Sequence, residues 1–137
     1  MRLVRWMFLL GLPAAAQNNW TAAVVNPASA AWTREAKDPP GSESVVVRED
    51  PKSGALDLLV RYPAGHVFAP HWHNANERIV MVEGRLVLRG EGGEKALEAG
   101  SFAFLPAKEV QRMSCEGKGR CTFYISWDGP LDFHRVK

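Results

Sequence analysis

The chain has 137 residues, 46% of them hydrophobic and 23% charged, so it is long enough for one domain with a buried core and too apolar to be disordered. Seventeen lysines and arginines oppose fifteen acidic residues, which gives a formal net charge of +2. No basic stripe of the kind that neutralises phosphates is present, and this excludes nucleic acid as an expected partner.

The N-terminal segment has the order of a secretory signal peptide. Arg2 and Arg5 precede an apolar run, residues 6–12, and small residues end the segment at Ala16. We predict cleavage after Ala16 and a periplasmic or secreted mature protein; a cytosolic protein with an apolar N-terminus is the alternative. The run is too short for a permanent transmembrane helix, and no later segment is apolar enough to span a membrane. Removing Arg2 and Arg5 leaves fifteen basic residues (17 minus 2) against fifteen acids, so the mature chain is near neutral.

Residues 17–42 are rich in Ala, Asn and Pro and are predicted to form an N-terminal arm, with residues 43–137 as the folded domain. Short strand-like runs, separated by turn residues at intervals of roughly ten, follow the arm. The predicted strands are 44–48, 56–62, 77–82, 85–89, 101–105 and 121–127, and residues 90–93 are predicted to be a loop. No window keeps a helical apolar stripe over three turns. The pattern therefore predicts an all-β antiparallel sandwich or closed barrel.

Cys115 and Cys121 are the only two cysteines, and the five residues between them include two glycines. Such a segment suits a hairpin loop, which would place the two cysteines across from each other. In an oxidising compartment they could form a disulfide, and two reduced thiols at the rim of a turn are the alternative.

Three of the four histidines lie between residues 65 and 84. His71 and His73 are two apart, so on a strand they face the same way, while Trp72 between them faces outward and could pack against a partner subunit. Turn-forming residues 74–76 follow, and Glu77 can then return a carboxylate to the same interior point. Two imidazoles and a carboxylate suit Fe, Mn, Ni or Zn. Ordinary rim histidines beside a solvated acid are the alternative.

The spacing around these residues resembles the first motif of the cupin family. In chain order this motif consists of Gly65, five residues, His71, one residue, His73, three residues, Glu77, six residues and Gly84. A second motif begins with Gly100, five residues and Pro106. Beyond it, Lys108 occupies the place of the family's glycine and Gln111 that of its histidine.

The resemblance implies a cupin-type double-stranded β-helix, a jelly-roll barrel that is usually dimeric, so we expect a homodimer. It also implies one divalent metal ion held from inside by His71, His73 and Glu77, with Gln111 in the place of the fourth ligand. His66 is expected to face away from this site, and His134 to lie in a closing strand or in a packed tail.

The barrel interior is expected to bind a small, partly apolar organic ligand. The residues expected to line it are Phe68, Ile79, Met81 and either Phe102 or Phe104. Lys108 or Arg112 could lie at the mouth and attract an anionic ligand such as a carboxylate. Two solvated loop cations are the alternative.

Three functional interpretations stay open at this point. The first is a metal-dependent enzyme, for which the cupin resemblance implies dioxygenase or isomerase chemistry. The second is a non-catalytic module that binds or senses a metal or a small molecule. The third is a structural barrel without a site. Fold alone does not choose a reaction among them.

Overall fold

The computed structural model describes residues 20–137, and the predicted signal segment, 1–16, lies outside this range. The described chain contains ten β-strands and no α-helix. In chain order these are β1 (Glu43–Glu49), β2 (Leu56–Tyr62), β3 (His71–Trp72), β4 (Glu77–Glu83), β5 (Arg85–Gly90), β6 (Gly93–Leu97), β7 (Phe102–Leu105), β8 (Arg112–Glu116), β9 (Cys121–Trp127) and β10 (His134–Arg135). No element in residues 20–137 is a helix long and apolar enough to cross a membrane.

Five antiparallel strands form the larger sheet, in the order β1-β2-β9-β4-β7. Alternation along β2 turns Leu58 and Val60 to the same face, where they lie opposite Ile125 and Phe123 of β9. The predicted strands 56–62 and 121–127 match β2 and β9 at both ends. The other four predicted strands differ from the observed ones by one residue at one or both ends.

The second sheet has the order β6-β5-β8, and the chain segment before β4 extends it. Phe68 N donates to Met113 O (2.9 Å), and the backbones of His71 and Gln111 exchange two hydrogen bonds of 3.1 and 2.7 Å. β3 then pairs with β10, which places His134 opposite Trp72. The segment that carries the histidines is therefore tied on one side to β8 and on the other to the C-terminus.

The two sheets face each other across one core. Ile79 and Met81 of β4, Leu86 of β5 and Phe123 of β9 are 0–2% exposed there. Burying four such side chains contributes about 1.5–3 kcal/mol each. The predicted all-β barrel is confirmed.

Four of the ten strands are missing from the six predicted ones: β3 and β10 have only two residues each, and β6 and β8 lack an apolar alternation. β6 is an exposed edge strand with only Leu97 buried, and it reduces the predicted 90–93 loop to a two-residue turn, since Gly90 pairs with Gly93. β8 reads Arg-Met-Ser-Cys-Glu and buries three consecutive residues. Neither pattern has the period of two on which the prediction depended.

The two cysteines form a disulfide with a Cα–Cα distance of 5.8 Å, which confirms the first of the two alternatives. The predicted hairpin between them is wrong. β8 pairs with β5, whereas β9 pairs with β2 and β4, so the connection crosses from one sheet to the other. The disulfide therefore joins the two sheets.

Residues 20–42 lie against the outer face of the larger sheet. Tyr124 Oη donates to Val25 O (3.2 Å), and the Arg61 guanidinium lies 4.0 Å from the centroid of the Trp32 ring. Thr33 and Ser44 form a β-bridge that leads the arm into β1. The arm thus ends beside the open end of the barrel, where Asp38 and Ser42 reach the interior cavity.

Candidate metal centre and adjoining cavity

Four polar side chains are buried at one end of the barrel, and they are the four predicted metal ligands. His71 is 3% exposed, His73 4%, Glu77 0% and Gln111 4%. Their positions follow from the strand pairing. His71 and Gln111 lie opposite each other in a β-bridge, His73 follows β3 directly, and Glu77 begins β4.

Both imidazoles are held by backbone carbonyls through their Nδ1 atoms. His71 Nδ1 lies 2.7 Å from Ala69 O, and His73 Nδ1 is bonded to the carbonyl of Asp132. A carbonyl oxygen only accepts, so Nδ1 carries a proton in each ring. Nε2 of the neutral His71 ring therefore keeps its lone pair, whereas Nε2 of His73 donates to the Glu77 carboxylate and would have to release that proton to bind a metal. The tautomer with Nδ1 protonated, fixed by a backbone partner, is the one that metal-binding histidines commonly use.

The carboxylate of Glu77 is held on one oxygen only. Trp127 Nε1 donates to Glu77 Oε2 (2.8 Å), and His73 Nε2 lies 3.0 Å from the same oxygen. Glu77 Oε1 and Gln111 Oε1 are buried without a hydrogen-bond partner among the described residues. Orphaned buried acceptors are rare and costly, at about 1–3 kcal/mol each.

The two histidines differ electrostatically. Burial lowers the pKa of His71, and the neighbouring His73 lowers it further, so the His71 ring is neutral near pH 7. Burial also opposes the charged form of His73, but the hydrogen bond and negative charge of Glu77 outweigh it and raise the pKa of His73. Glu77 is thus the group that controls the charge of its neighbour.

The donor atoms are of types that bind divalent cations, although they do not stand in the arrangement of a metal site. Two imidazole nitrogens, one free carboxylate oxygen and one free carboxamide oxygen are donors that Fe, Mn, Ni and Zn accept. Within residues 20–137, no three His, Cys, Asp or Glu side chains already stand in the arrangement of a metal site. His73 and Glu77 are instead bonded directly to each other.

An interior cavity of about 200 Å³ adjoins three of these residues, His71, His73 and Glu77, whereas Gln111 is not among its lining residues. Of the predicted ligand-lining residues, Phe68 lines it. Ile79 and Met81 face inward but belong to the packed core rather than to the cavity wall. Phe102 and Phe104 lie on the outer face of the larger sheet, 62% and 49% exposed, because the register of β7 turns its other two residues inward.

Lys108 and Arg112 do not line this cavity. The Lys108 ammonium lies over the outer face of Trp72, 5.3 Å from the ring centroid. Trp72 itself faces outward as predicted, but His134 of the same chain stacks on it, with centroids 3.9 Å apart. His66 packs against Tyr62 and Phe68, away from the metal ligands.

Sequence reasoning missed the residues that close the site from the C-terminal side. Phe133 stacks on the His71 ring (4.1 Å between centroids), and Leu131 lies beside it at the cavity mouth. Trp127 could have been found from the alternation along β9, which turns it inward. Asp132 and Phe133 carry no local signal, because their contacts are with residues about sixty positions earlier.

The fold is that of a cupin, and the motif residues His71, His73 and Glu77 are buried within it. A family model described as the ChrR cupin-like domain matches residues 21–130. The chain belongs to this family, and the predicted cupin-type jelly-roll barrel is confirmed. No curated protein matches the chain at a significant level.

Several solved structures share the fold. The polyketide cyclase RemF from Streptomyces resistomycificus is 15% identical, with a TM-score of 0.67 over 85% of this chain and 87% of that one. KdgF from Halomonas sp. is 18% identical, with a TM-score of 0.62 over 82% and 96%. A structure from work on the DMSP lyases RdDddP and RnDddQII is 18% identical, with a TM-score of 0.60; the match covers 70% of this chain and about half (53%) of that one. These identities establish the fold alone.

Proposed function

We propose that this protein is an exported cupin that holds one divalent metal ion between His71, His73, Glu77 and Gln111 and takes a small organic molecule into the adjoining cavity. One observation carries the proposal: among the described residues, Glu77 Oε1 and Gln111 Oε1 are buried without partners, Glu77 contacts His73, the backbone of Gln111 pairs with that of His71, and the Nδ1 atoms of both imidazoles are already bonded. A cation would satisfy both oxygens and take up the Nε2 atoms of both rings, with His73 releasing the proton that it now shares with Glu77.

Each residue has a separate part in this proposal. His71 and His73 would supply the nitrogen donors, with Ala69 and Asp132 holding the rings in place. Glu77 would turn from His73 toward the ion while Trp127 keeps its other oxygen. A bound divalent ion would act as a Lewis acid or as an oxygen-binding centre for dioxygenase or isomerase chemistry.

A non-catalytic binding or sensing module is the second candidate function, and Gln111 favours it. A carboxamide oxygen is a weaker and uncharged ligand than the imidazole it replaces in the family motif. Turnover assays on metal-loaded protein decide between the two. Consumption of oxygen with phenolic or diketone substrates, or isomerisation of sugar derivatives, supports the enzyme, and binding without turnover supports the module.

Titration of zinc into chelator-treated protein, followed by calorimetry, tests the metal proposal. We expect one site per chain, and we expect His71→Ala to abolish it. His66→Ala is the matched control, because His66 is an imidazole of the same chain segment that packs on Tyr62 instead. Equal binding by both variants, or no binding by the unmodified protein, would refute the site.

Export is proposed from residues 1–16 and is supported by the disulfide, since such bonds persist in oxidising compartments. Mass spectrometry of protein recovered from the periplasm or the medium should find Gln17 at the N-terminus. A chain that still begins at Met1 would contradict the proposed cleavage. The homodimer stays a prediction, which sedimentation of the purified protein tests.

A further inference from the structure

We propose that the cavity selects an uncharged or cationic molecule with a single aromatic ring and rejects a carboxylate of the same shape. This inference rests on the proposed function, because it concerns the cavity beside the same ligands. It runs against the expectation that Lys108 attracts an anion, since Lys108 lies over Trp72 outside the cavity.

The walls of the cavity are mainly apolar, and aromatic side chains form a large part of them. Besides the two imidazoles, five of the lining residues are Phe, Tyr or Trp (Tyr62, Phe68, Phe123, Trp127 and Phe133), and five more carry aliphatic or thioether side chains. Aromatic walls favour a flat ring through edge-to-face and offset-stacked contacts. In this set, the phenol of Tyr62 and the indole N–H of Trp127, which already donates to Glu77, are the hydrogen-bond donors.

The charged groups at the cavity are acids. Among the described residues that line the cavity, none is a lysine or an arginine. Three are acids: Asp38, Glu43 and Glu77. Glu43 is already paired with Arg61 (2.6 Å), whose guanidinium stacks on Trp32. Apart from His73, which is already paired with Glu77, a buried carboxylate ligand would therefore find no cationic side chain in the wall. Burying an unpaired charge is far more costly than burying an amide.

The behaviour of Tyr62 points the same way. Burial raises the pKa of its phenol to about 12, and the negative charges of Asp38 and Glu77 add to the shift. Both acids line the cavity, and they come from different parts of the chain: Asp38 lies on the N-terminal arm and Glu77 begins β4. Their combined field disfavours a second negative charge between them.

Size sets the remaining limit. The cavity measures about 200 Å³, and an apolar protein cavity of about 150 Å³ is known to take up benzene. One ring with a short substituent fits this space, and a fused ring system would have to displace Leu131 or Phe133, which are about half exposed at the mouth.

Binding of benzamide and benzoate, which have the same shape and differ in charge, tests the inference. Calorimetry on the full chain, both chelator-treated and reloaded with zinc, should show benzamide binding at least about tenfold more tightly than benzoate. Asp38→Lys should reduce this preference about tenfold, because it places a cation at the cavity rim. Asp50→Lys, which makes the same change in the β1–β2 turn, is the matched control and should leave the preference unchanged.

The outcomes separate the two proposals. Equal or tighter binding of benzoate to the unmodified protein, or no binding of either compound in the millimolar range, overturns the ligand class. If benzoate overtakes benzamide only after zinc loading, the ligand class is wrong and the metal site stands. If zinc does not bind and benzamide is still preferred, the metal proposal fails and the ligand class stands.

Discussion

Gln111 stands where the second cupin motif has a histidine. Its backbone pairing and its buried side-chain oxygen describe what this chain has at that position. Its backbone exchanges two hydrogen bonds with His71, so the side chain starts from the same place as a ligand histidine would. Its Oε1 is buried without a partner. In the proposed site this oxygen would be the fourth donor, and a carboxamide is a weaker donor than the imidazole of the motif.

Substitution of Gln111 should move metal affinity in both directions. Gln111→His should tighten zinc binding about tenfold, because imidazole is the stronger donor, and Gln111→Ala should weaken it about tenfold. Calorimetric titration measures both variants. If neither constant moves, Gln111 does not touch the ion.

Lys108 shows a second departure from the motif, in the backbone. It has φ = 69°, the only positive φ of a non-glycine residue in residues 20–137, at the place where the family has glycine. Its N–H donates to His73 O (2.8 Å), so the strained residue also supports a proposed ligand. A left-handed conformation costs an L-residue about 1–2 kcal/mol.

Lys108→Gly should therefore raise the free energy of unfolding, by up to about 1 kcal/mol once the greater freedom of the unfolded glycine is subtracted. Lys118→Gly is the control, since Lys118 has an ordinary φ and should lose stability instead. Urea unfolding of both variants gives the comparison. A loss of stability in Lys108→Gly as large as in the control would contradict the strain at residue 108.

The C-terminal segment, residues 131–135, closes the site and ends in β10. Asp132 in this segment offers its carbonyl to His73, while its carboxylate accepts hydrogen bonds from the backbone and side chain of Asn74 and lies 2.8 Å from His134 Nε2. These contacts tie the end of the chain to the strand that carries the histidines. The segment therefore sets the orientation of a proposed ligand from outside the motif.

Asp132→Ala should weaken zinc binding about tenfold, because the freed segment no longer holds the His73 ring. Asp57→Ala removes a comparable acid, one that pairs with Arg48 on the far side of the larger sheet, and should leave zinc affinity unchanged. Equal zinc constants in the two variants would show that the segment does not position His73.

The strands differ in how well the sequence predicts them. The bounds of β2 and β9 are predicted to the residue because alternate positions, such as Leu56, Leu58, Val60 and Tyr62 in β2, are apolar and mark one buried face. β6 is polar and lies at an edge, and β3 and β10 have two residues each, too few for any period. The spacing of His71, His73 and Glu77 is local, so the sequence alone predicts that they lie together. The contact between Asp132 and His73 joins residues 59 positions apart and depends on the tertiary fold.

The whole barrel should respond to alkaline pH through Tyr62. Burial raises the pKa of this phenol from 10.0 to about 12. The folded protein thus keeps a proton that the unfolded chain releases, and stability is full below pH 10 and falls as the pH rises toward 12. The loss attributable to Tyr62 is about 2 kcal/mol.

Tyr62→Phe should remove this part of the alkaline destabilisation. Urea unfolding measures the free energy of unfolding of both proteins between neutral and alkaline pH. The two values should differ by a constant amount up to about pH 10, and above it the unmodified protein should lose stability faster than Tyr62→Phe. Parallel stability curves at all pH values would contradict a buried, protonated Tyr62.

Metal content of the protein recovered from its native compartment tests the proposed site most directly. Elemental analysis should find close to one divalent ion per chain in the unmodified protein and in His66→Ala, and almost none in His71→Ala. An unmodified protein that carries no ion, or a His71→Ala variant that carries as much as the unmodified protein, would contradict the assignment of His71, His73, Glu77 and Gln111 as ligands.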